Sequence, residues 1–407
     1  MLKVAMISTG EEVLHGDITD TNAAWMSSLF FQRGFPLSRR TTVGDQLDVL
    51  AKEIEHCSLT ADVVIVNGGL GPTTDDLTAQ AAAIAADVGL ELVDEWVVAM
   101  EDKYTRLGRV MPETNLKQAM LPEGAEVLDN PIGTACGFAM RINRAWVFFT
   151  PGVPSEFKKM THEQILPRLD KNYTNDSARE CIRLYTFGLS ESGIGQSLQS
   201  IRLPAGFEIG YRSEIPFIEV KVFCPPGHLQ APALVEAIAD QLGDNLVGYN
   251  QPLLKAVSQL IADKGYSLAI AEHFTGGFLT SWLYDDEYLA GCVAQSWILG
   301  NGSVPEDHDK APVEATLSMA QIARDKNQAD IGLAIGAEQD GRVAVALVTQ
   351  EGVWSQHVST KRRYGSRDYR YVLATLGLDM LRRWLEGKPV FGHSESLQCI
   401  AQAGSKE

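Results

Sequence analysis

Short runs of β-branched and other apolar residues alternate, over the first part of the chain, with segments whose apolar positions recur every three to four residues. Leu2-Lys-Val-Ala-Met-Ile7 and Asp62-Val-Val-Ile-Val66 are apolar at nearly every position, the pattern of strands buried on both faces. Between them the spacing predicts a helix that Asp20 or Thr21 can cap, carrying Ala24, Trp25, Leu29 and Phe30 on one face and stopped by Gly34. A strand near Leu37 to Val43 and a helix through Leu47, Leu50 and Ile54, closed by a turn from Cys57 to Ala61, come next. An Ala-rich helix follows Thr78, and a last strand, Trp146 to Phe149, empties into Pro151-Gly-Val-Pro-Ser-Glu156, with Ser155 as the expected cap of a further helix. This βαβαβ period predicts an α/β fold with a parallel, doubly wound sheet.

Polar residues from about Asn172 to Arg179 mark a boundary. Beyond it, strands at Ile182–Phe187 and Ile215–Phe223 and helices at Ser190–Leu198 and Ala231–Leu242 predict a small β/α module. Its Gly-Leu-Ser-Glu-Ser-Gly run does not match a nucleophile elbow, and Ser190 reads as a helix cap. A third region has helices at 252–264, 313–324 and 368–385 and strands at 267–271, 331–336, 343–348 and 354–359. The expected division is 1–170, 176–247 and 250–388, with a loose tail at 389–407.

Composition narrows the function classes. Length favours two or three domains, and 45% hydrophobic residues can fill their cores. A net charge of −17 disfavours nonspecific binding to nucleic acid or an anionic membrane, so no nucleic-acid or membrane partner is expected and an anionic ligand must be held by local donors or a metal. The six cysteines are scattered singly, as in a reduced, cytoplasmic protein, and no signal or membrane-spanning run is evident.

The stretch Asn67-Gly-Gly-Leu-Gly-Pro-Thr-Thr-Asp-Asp-Leu-Thr78 departs most plainly from what packing alone asks for. Strand, glycine turn, helix presents backbone N–H groups to a ligand at the carboxyl edge of an α/β sheet. Gly68, Gly69 and Gly71 would admit a phosphate or diphosphate, while Asp75 and Asp76, at the helix start, cap it or hold a cation. Glu12, Asp17 and Asp45 lie in loops expected at the same edge, so five carboxylates are predicted to converge, as a divalent metal would require. A tight turn with one capping aspartate is the competing structural reading. In Glu272-His-Phe-Thr-Gly-Gly277 a second glycine turn follows a strand, but no serine or cysteine nucleophile adjoins His273, and a structural role is expected for it.

Several of these segments together resemble the CinA family: Thr9-Gly-Glu-Glu12, Gly16-Asp-Ile-Thr-Asp-Thr-Asn22, Val43-Gly-Asp45, Gly68 to Thr78, Lys117-Gln-Ala119 and Pro151 to Glu156. The resemblance runs nearly end to end. It implies a molybdopterin-binding-like α/β/α domain that in some members hydrolyses the diphosphate of ADP-ribose with a divalent metal (cobalt or magnesium) and potassium, then a small KH-like domain, then a C-terminal CinA-type α/β domain that in active members deamidates nicotinamide mononucleotide. The matched site residues are Asp75 and Asp76 as catalytic and metal-binding groups, Glu12, Asp17 and Asp45 as further metal ligands, and Gly68, Gly69, Gly71, Thr73, Thr78, Pro151 and Gly152 as substrate contacts. A homodimer is the expected assembly.

The C-terminal region departs from that family. Active deamidases carry Ala-Glu-Ser-Cys-Thr-Gly-Gly where this chain has Ala271-Glu-His-Phe-Thr-Gly-Gly277, so His273 stands in place of the serine, and Glu272, Thr275, Gly276 and Gly277 frame a degenerate site. The Tyr-Ser-Asn and following Lys are absent around Val293–Leu299, and a Thr-Gly-Ile-Ala-Gly-Pro turn is reduced to Ala334-Ile-Gly-Ala-Glu-Gln339. Two functions stand: a metal-dependent hydrolase of ADP-ribose or a related nucleotide with a silent deamidase region, or a nucleotide- or pterin-binding protein without turnover.

Overall fold

The computed structural model describes residues 2–173, 178–300 and 311–406. Part of the polar boundary from Asn172 to Arg179 lies outside the described residues, and the chain divides there into two compact units, Met1–Arg179 and Glu180–Glu407.

The first unit has the strands β1 (Val4–Thr9), β2 (Leu37–Val43), β3 (Val63–Asn67), β4 (Leu90–Leu92), β5 (Met120–Pro122), β6 (Glu126–Leu128), β7 (Gly137–Ile142) and β8 (Ala145–Thr150). Its main sheet runs β2-β1-β3-β8-β7-β6, parallel through β8 and antiparallel beyond it, so the doubly wound reading holds for four strands and the sheet as a whole is mixed. The helices are α1 (Glu11–Leu14), α2 (Thr21–Gln32), α3 (Leu47–Thr60), α4 (Thr78–Ala86), α5 (Asp94–Arg106), α6 (Pro154–Met160) and α7 (Leu166–Asn172). Alternate residues of each inner strand enter opposite cores. Ile7, Val64, Val66, Val147 and Phe149 pack in a cluster with residues of α3, α4 and α5, whereas Met6, Val63, Ile65 and Phe148 cluster with residues of α2, α6 and α7.

Helix α2 is capped by Asp20, which accepts from the Ala23 N–H at 2.8 Å. Its buried face is Asn22, Ala23, Met26 and Phe30, with Ala24 exposed and Trp25 and Leu29 half-buried, a rotation of the face expected from the apolar spacing. Helix α3 continues through the expected Cys57–Thr60 turn.

The second unit begins with β9 (Glu180–Phe187), α8 (Glu191–Leu198), β10 (Glu208–Glu214), β11 (Phe217–Cys224), α9 (Ala231–Leu242) and β12 (Leu246–Tyr249), a sheet of order β10-β11-β9-β12 packed on α8 and α9. Ser190 caps α8 by accepting from the Gly193 N–H. Then come α10 (Leu253–Lys264), β13 (Leu268–Glu272), α11 (Phe278–Leu283), α12 (Glu287–Cys292), β14 (Val293–Ile298), α13 (Pro312–Lys326), β15 (Ile331–Gln339), β16 (Arg342–Val348), β17 (Gly352–Thr360), α14 (Ser366–Leu385) and β18 (Leu397–Lys406). They build a sheet of order β14-β13-β15-β16-β17-β18.

The tail expected to be loose forms β18, paired antiparallel with β17. Its pattern carries few large apolar residues, and the strand is held by backbone pairing more than by burial. Phe187, Phe217 and Val247 of the smaller sheet join the core built on α10 and α14. In α14, Arg382 and Arg383 both donate to Asp379 and to the Asp244 carbonyl that follows α9, a buried ionic knot across the same unit.

Candidate functional site

Four parallel strands of the first unit end side by side. Thr9 lies opposite Val43, Ser8 opposite Asn67, and Asn67 opposite Thr150, so the loops leaving β1, β2, β3 and β8 gather at one edge. They border a cleft of about 500 Å³.

The turn after β3 forms one wall. Gly68 and Gly69 have φ of 110° and 66°, a backbone that side chains rarely adopt. Thr78 donates its hydroxyl to the Gly68 carbonyl at 2.8 Å and its N–H to the Gly69 carbonyl at 3.1 Å, and the Gly68 N–H donates to the Thr150 carbonyl at 2.9 Å. A Cβ on Gly68 would lie 2.6 Å from the Thr9 hydroxyl, one on Gly69 would strike that of Thr78, and one on Gly71 would lie 2.5 Å from the Asp76 carboxylate. Backbone angle and neighbouring threonines therefore already demand glycine at 68 and 69, whereas at Gly71 the crowding atoms are the movable end of Asp76. Gly152 differs, because a Cβ there would meet within 4 Å nothing but the Gly68 Cα, at 3.5 Å. Behind the turn, a smaller cavity of about 150 Å³ is bordered by Leu70, Leu90, Met120, Leu121 and Cys136. Burial pushes the Cys136 thiol up to about 12, which removes it as a nucleophile.

The expected convergence of five carboxylates is corrected. Glu12, Asp45, Asp75 and Asp76 border the cleft and Asp17 does not. Asp76 closes its own loop, accepting from the Thr73 N–H at 2.8 Å and from the Thr73 hydroxyl. Neither aspartate caps α4, whose preceding residue is Leu77, and Val153 rather than Ser155 precedes α6. Asp75 is exposed. The Thr73 hydroxyl, a rotor beside both acids, holds the Asp75 carboxyl below the usual range, with a smaller contribution from Lys117. Lys117 itself donates to the Thr73 carbonyl and steadies the loop.

Asp45 accepts from the Glu11 N–H at 3.1 Å while its own N–H donates to the Glu11 carboxylate at 3.2 Å. Burial pushes the Asp45 carboxyl up, the Glu11 N–H opposes this, and the charges of Glu12, Asp75 and Glu11 raise it further. Asp45 thus feels the charge of both Glu12 and Asp75. Among the described residues, no three His, Cys, Asp or Glu side chains are gathered into a closed metal cage.

Two residues of this wall, Asn22 and Thr9, stand in the family-like segments, but no site role for them is legible in the sequence. Asn22 is 6% exposed, and its amide donates to Asn67 Oδ1 at 3.0 Å and to the Gly152 carbonyl at 2.8 Å. Its Oδ1, like the Thr9 hydroxyl, is buried with no hydrogen-bond partner among the described residues. Both residues border the cleft. The available signal was the run Asp20-Thr-Asn22, three polar residues where a helix start needs one cap.

At the second glycine turn, Glu272 is fully buried and accepts from the Leu279 N–H at 3.0 Å, the Thr280 N–H at 2.7 Å and the Thr280 hydroxyl at 2.6 Å. The carboxylate faces the head of α11. Burial pulls the His273 ring's pKa down, a backbone bond to Gly300 opposing it, and among the described residues its buried Nε2 has no partner, nor do the hydroxyls of Thr275 and Ser296. Gly276 and Gly277 have φ of 59° and 90°.

Over 393 residues the chain is 42% identical to a CinA-like protein of Escherichia coli O17:K52:H18 (strain UMN026 / ExPEC), with 96% of this chain and 95% of that one covered. The chain belongs to the CinA-like family. A second relative at 42% identity, covering 96% of both chains, is the "NMN amidohydrolase-like protein YfaY" of Escherichia coli (strain K12). The family described as "Probable molybdopterin binding domain" matches residues 5–171. Among solved structures, the CinA protein of Thermoplasma acidophilum aligns with 28% identity and a TM-score of 0.38, covering 42% of this CinA-like chain and 98% of its own. No helix among the described residues is long and apolar enough to cross a membrane.

Proposed function

We propose that the N-terminal unit binds the diphosphate of ADP-ribose or a related nucleotide in the cleft and hydrolyses it with a divalent cation, cobalt or magnesium, and potassium. The observation that carries this reading is the gathering of Glu12, Asp45 and Asp75 on one cleft at the carboxyl edge of a parallel sheet, where Asp45 feels the charge of the other two. A diphosphate entering there meets like charge on a chain of net charge −17, so a cation must accompany it. Such a cation, when bound, neutralises the diphosphate and activates water. Asp75, held ionised by Thr73, and Asp45 are the groups that would hold it, with Glu12 beside them. Asp76 and Lys117 keep the loop closed around Thr73.

The test is turnover of ADP-ribose by the purified full chain with each metal and potassium. Release of AMP and ribose 5-phosphate that a chelator abolishes is expected. Binding without release under every metal would leave the second reading, a nucleotide- or pterin-binding protein without turnover, which the lack of a closed cage among the described residues favours.

We infer further that the C-terminal region does not deamidate nicotinamide mononucleotide, the ligand class that the name of the Escherichia coli K12 relative suggests. His273 occupies the nucleophile's position and Glu272 is committed to α11. The chain acts, on this reading, through its first unit and as a homodimer.

A further inference from the structure

We infer that Asn22 reads a hydrogen-bond donor on the ligand, a sugar hydroxyl in a nucleotide of the proposed class, and so sets which end of the ligand lies deep in the cleft. The inference rests on the cleft being the ligand site.

The orientation of the Asn22 amide follows from a chain of bonds that runs in one direction. Thr150 donates its hydroxyl to the Val66 carbonyl and so has lone pairs left to accept. Asn67 Nδ2 donates to the Pro151 carbonyl at 2.7 Å and to Thr150 Oγ1 at 3.2 Å, which turns Asn67 Oδ1 toward Asn22. Asn22 Nδ2 donates to that oxygen and to the Gly152 carbonyl, two acceptors for its two protons. Reversing Asn22 would set its oxygen against both acceptors. Its Oδ1 is therefore an acceptor by construction, buried and unmatched.

Among the described residues none supplies the missing proton, the Thr9 hydroxyl of the same cleft being itself without a partner. The Ser8 hydroxyl donates to Asp20 at 2.6 Å, and the Ala23 N–H donates to the other oxygen of the same carboxylate. Glu12 and Asp20, which also border the cleft, present carboxylate oxygens. A phosphate, which brings acceptors, gains nothing at Asn22, whereas a hydroxyl or N–H group meets a waiting lone pair. A site with a fixed buried acceptor discriminates strongly against a ligand that lacks the matching donor. The diphosphate then belongs toward Asp45 and Asp75, and the hydroxyl-bearing sugar toward Asn22.

The experiment compares two probes on the full chain by calorimetry with magnesium present: inorganic pyrophosphate, which carries the anion, and ribose 5-phosphate, which adds hydroxyls. Asn22→Ala should weaken ribose 5-phosphate about ten- to a hundredfold and leave pyrophosphate within about twofold. Retained pyrophosphate binding reports an intact cleft. If the variant loses both probes together, the same question is put to the unaltered chain with 2,3-dideoxyribose 5-phosphate. Binding weaker than ribose 5-phosphate by a similar factor upholds the assignment, and equal binding overturns it. Equal affinity of the Asn22→Ala variant and the unaltered chain for ribose 5-phosphate also overturns it, since a water would then suffice for the Asn22 oxygen. Failure of the unaltered chain to bind pyrophosphate and ribose 5-phosphate at all would remove the cleft as the ligand site, and the inference with it.

Discussion

Two loops of this molecule start from the same local pattern, a parallel strand running into a glycine turn ahead of a helix, and end in opposite chemistry. After β13 the carboxylate of Glu272 turns inward and accepts three hydrogen bonds from the start of α11. After β3 the helix start receives no carboxylate, and Thr78 bonds back to the turn. The acids of that edge then divide: Asp76 closes the loop, whereas Asp45, Glu12 and Asp75 line the cleft without bonding to α4. A glycine turn at a sheet edge is thus no evidence of a ligand site by itself. What distinguishes the two is whether the carboxylate beside the turn is spent on the helix that follows.

The largest test of this contrast is Glu272→Ala. It strips two buried N–H groups and a hydroxyl of their acceptor and leaves a cavity, so the second unit should lose about 3–5 kcal/mol in urea unfolding. ADP-ribose turnover at the other edge should not change below the unfolding transition. A loss under about 1 kcal/mol would mean that the inward carboxylate is not what holds α11.

The N-terminal edge should respond in the opposite sense. Asp75→Asn removes an exposed ligand-facing charge and should cut metal-dependent turnover about a hundredfold with no shift in melting temperature. Asp76→Asn weakens the closure on Thr73 and should lower stability by about 1 kcal/mol as well as activity. If the two variants behave alike in both assays, the division between a free acid and a loop-closing acid fails.

How far the sequence carried this picture depends on what each residue had to satisfy. Strands β1, β3 and β8 were legible because burial on both faces demands continuous apolar runs. Strand β10, Glu-Ile-Gly-Tyr-Arg-Ser-Glu, was not, since an exposed edge strand needs no such run and its charges read as loop. The tail strand β18 was missed for a similar reason. At the site, Gly68 and Gly69 were expected to admit a phosphate, and the structure shows that Thr9 and Thr78 crowd them, a long-range cause that spacing does not encode. The acids were visible as types, yet one or two hydrogen bonds decide which of them closes its own loop and which does not. Asn22 lay in a family-like segment, but its role was not legible, because an asparagine in the first turn of a helix is ordinary until its partners are known.

A smaller effect sharpens the contrast from the C-terminal side. Asp286 is 4% exposed and accepts from Ser258, Lys255 and the Tyr288 and Leu289 N–H groups at the start of α12. Burial alone would push its carboxyl up, but the bonds from Ser258, Lys255 and Leu289 outweigh it and hold it below the usual value of about 4. A depressed folded-state value means that the stabilisation is present above about pH 4 and is lost as the pH falls through the folded value. Asp286→Asn should therefore cost on the order of 1–2 kcal/mol at neutral pH and flatten the acid limb of the stability curve below about pH 4. An unchanged acid limb would show that this inward acid is not tied to its partners in solution.

The smallest expected effect is none at all, and it tests whether the C-terminal turn is silent. Amide hydrolysis through a serine needs the hydroxyl, a group to take its proton, and donors for the developing oxyanion. Here Glu272 is occupied by α11, Leu299 offers no amine, and burial keeps the His273 ring neutral with one nitrogen turned to the Gly300 backbone. His273→Ser restores the hydroxyl and nothing that activates it. Members of one catalytic unit do not act additively, so a single repair should give ammonia release from nicotinamide mononucleotide no higher than the buffer background, in the variant as in the unaltered chain. Thr275 and Ser296 supply buried hydroxyls without partners in the same region, and they make the measurement worth taking to long incubation. Sustained ammonia release by the unaltered chain would show that one of them, or the unpartnered Nε2 of His273 acting on water, does the chemistry, and the contrast between a silent turn and a working one would be lost.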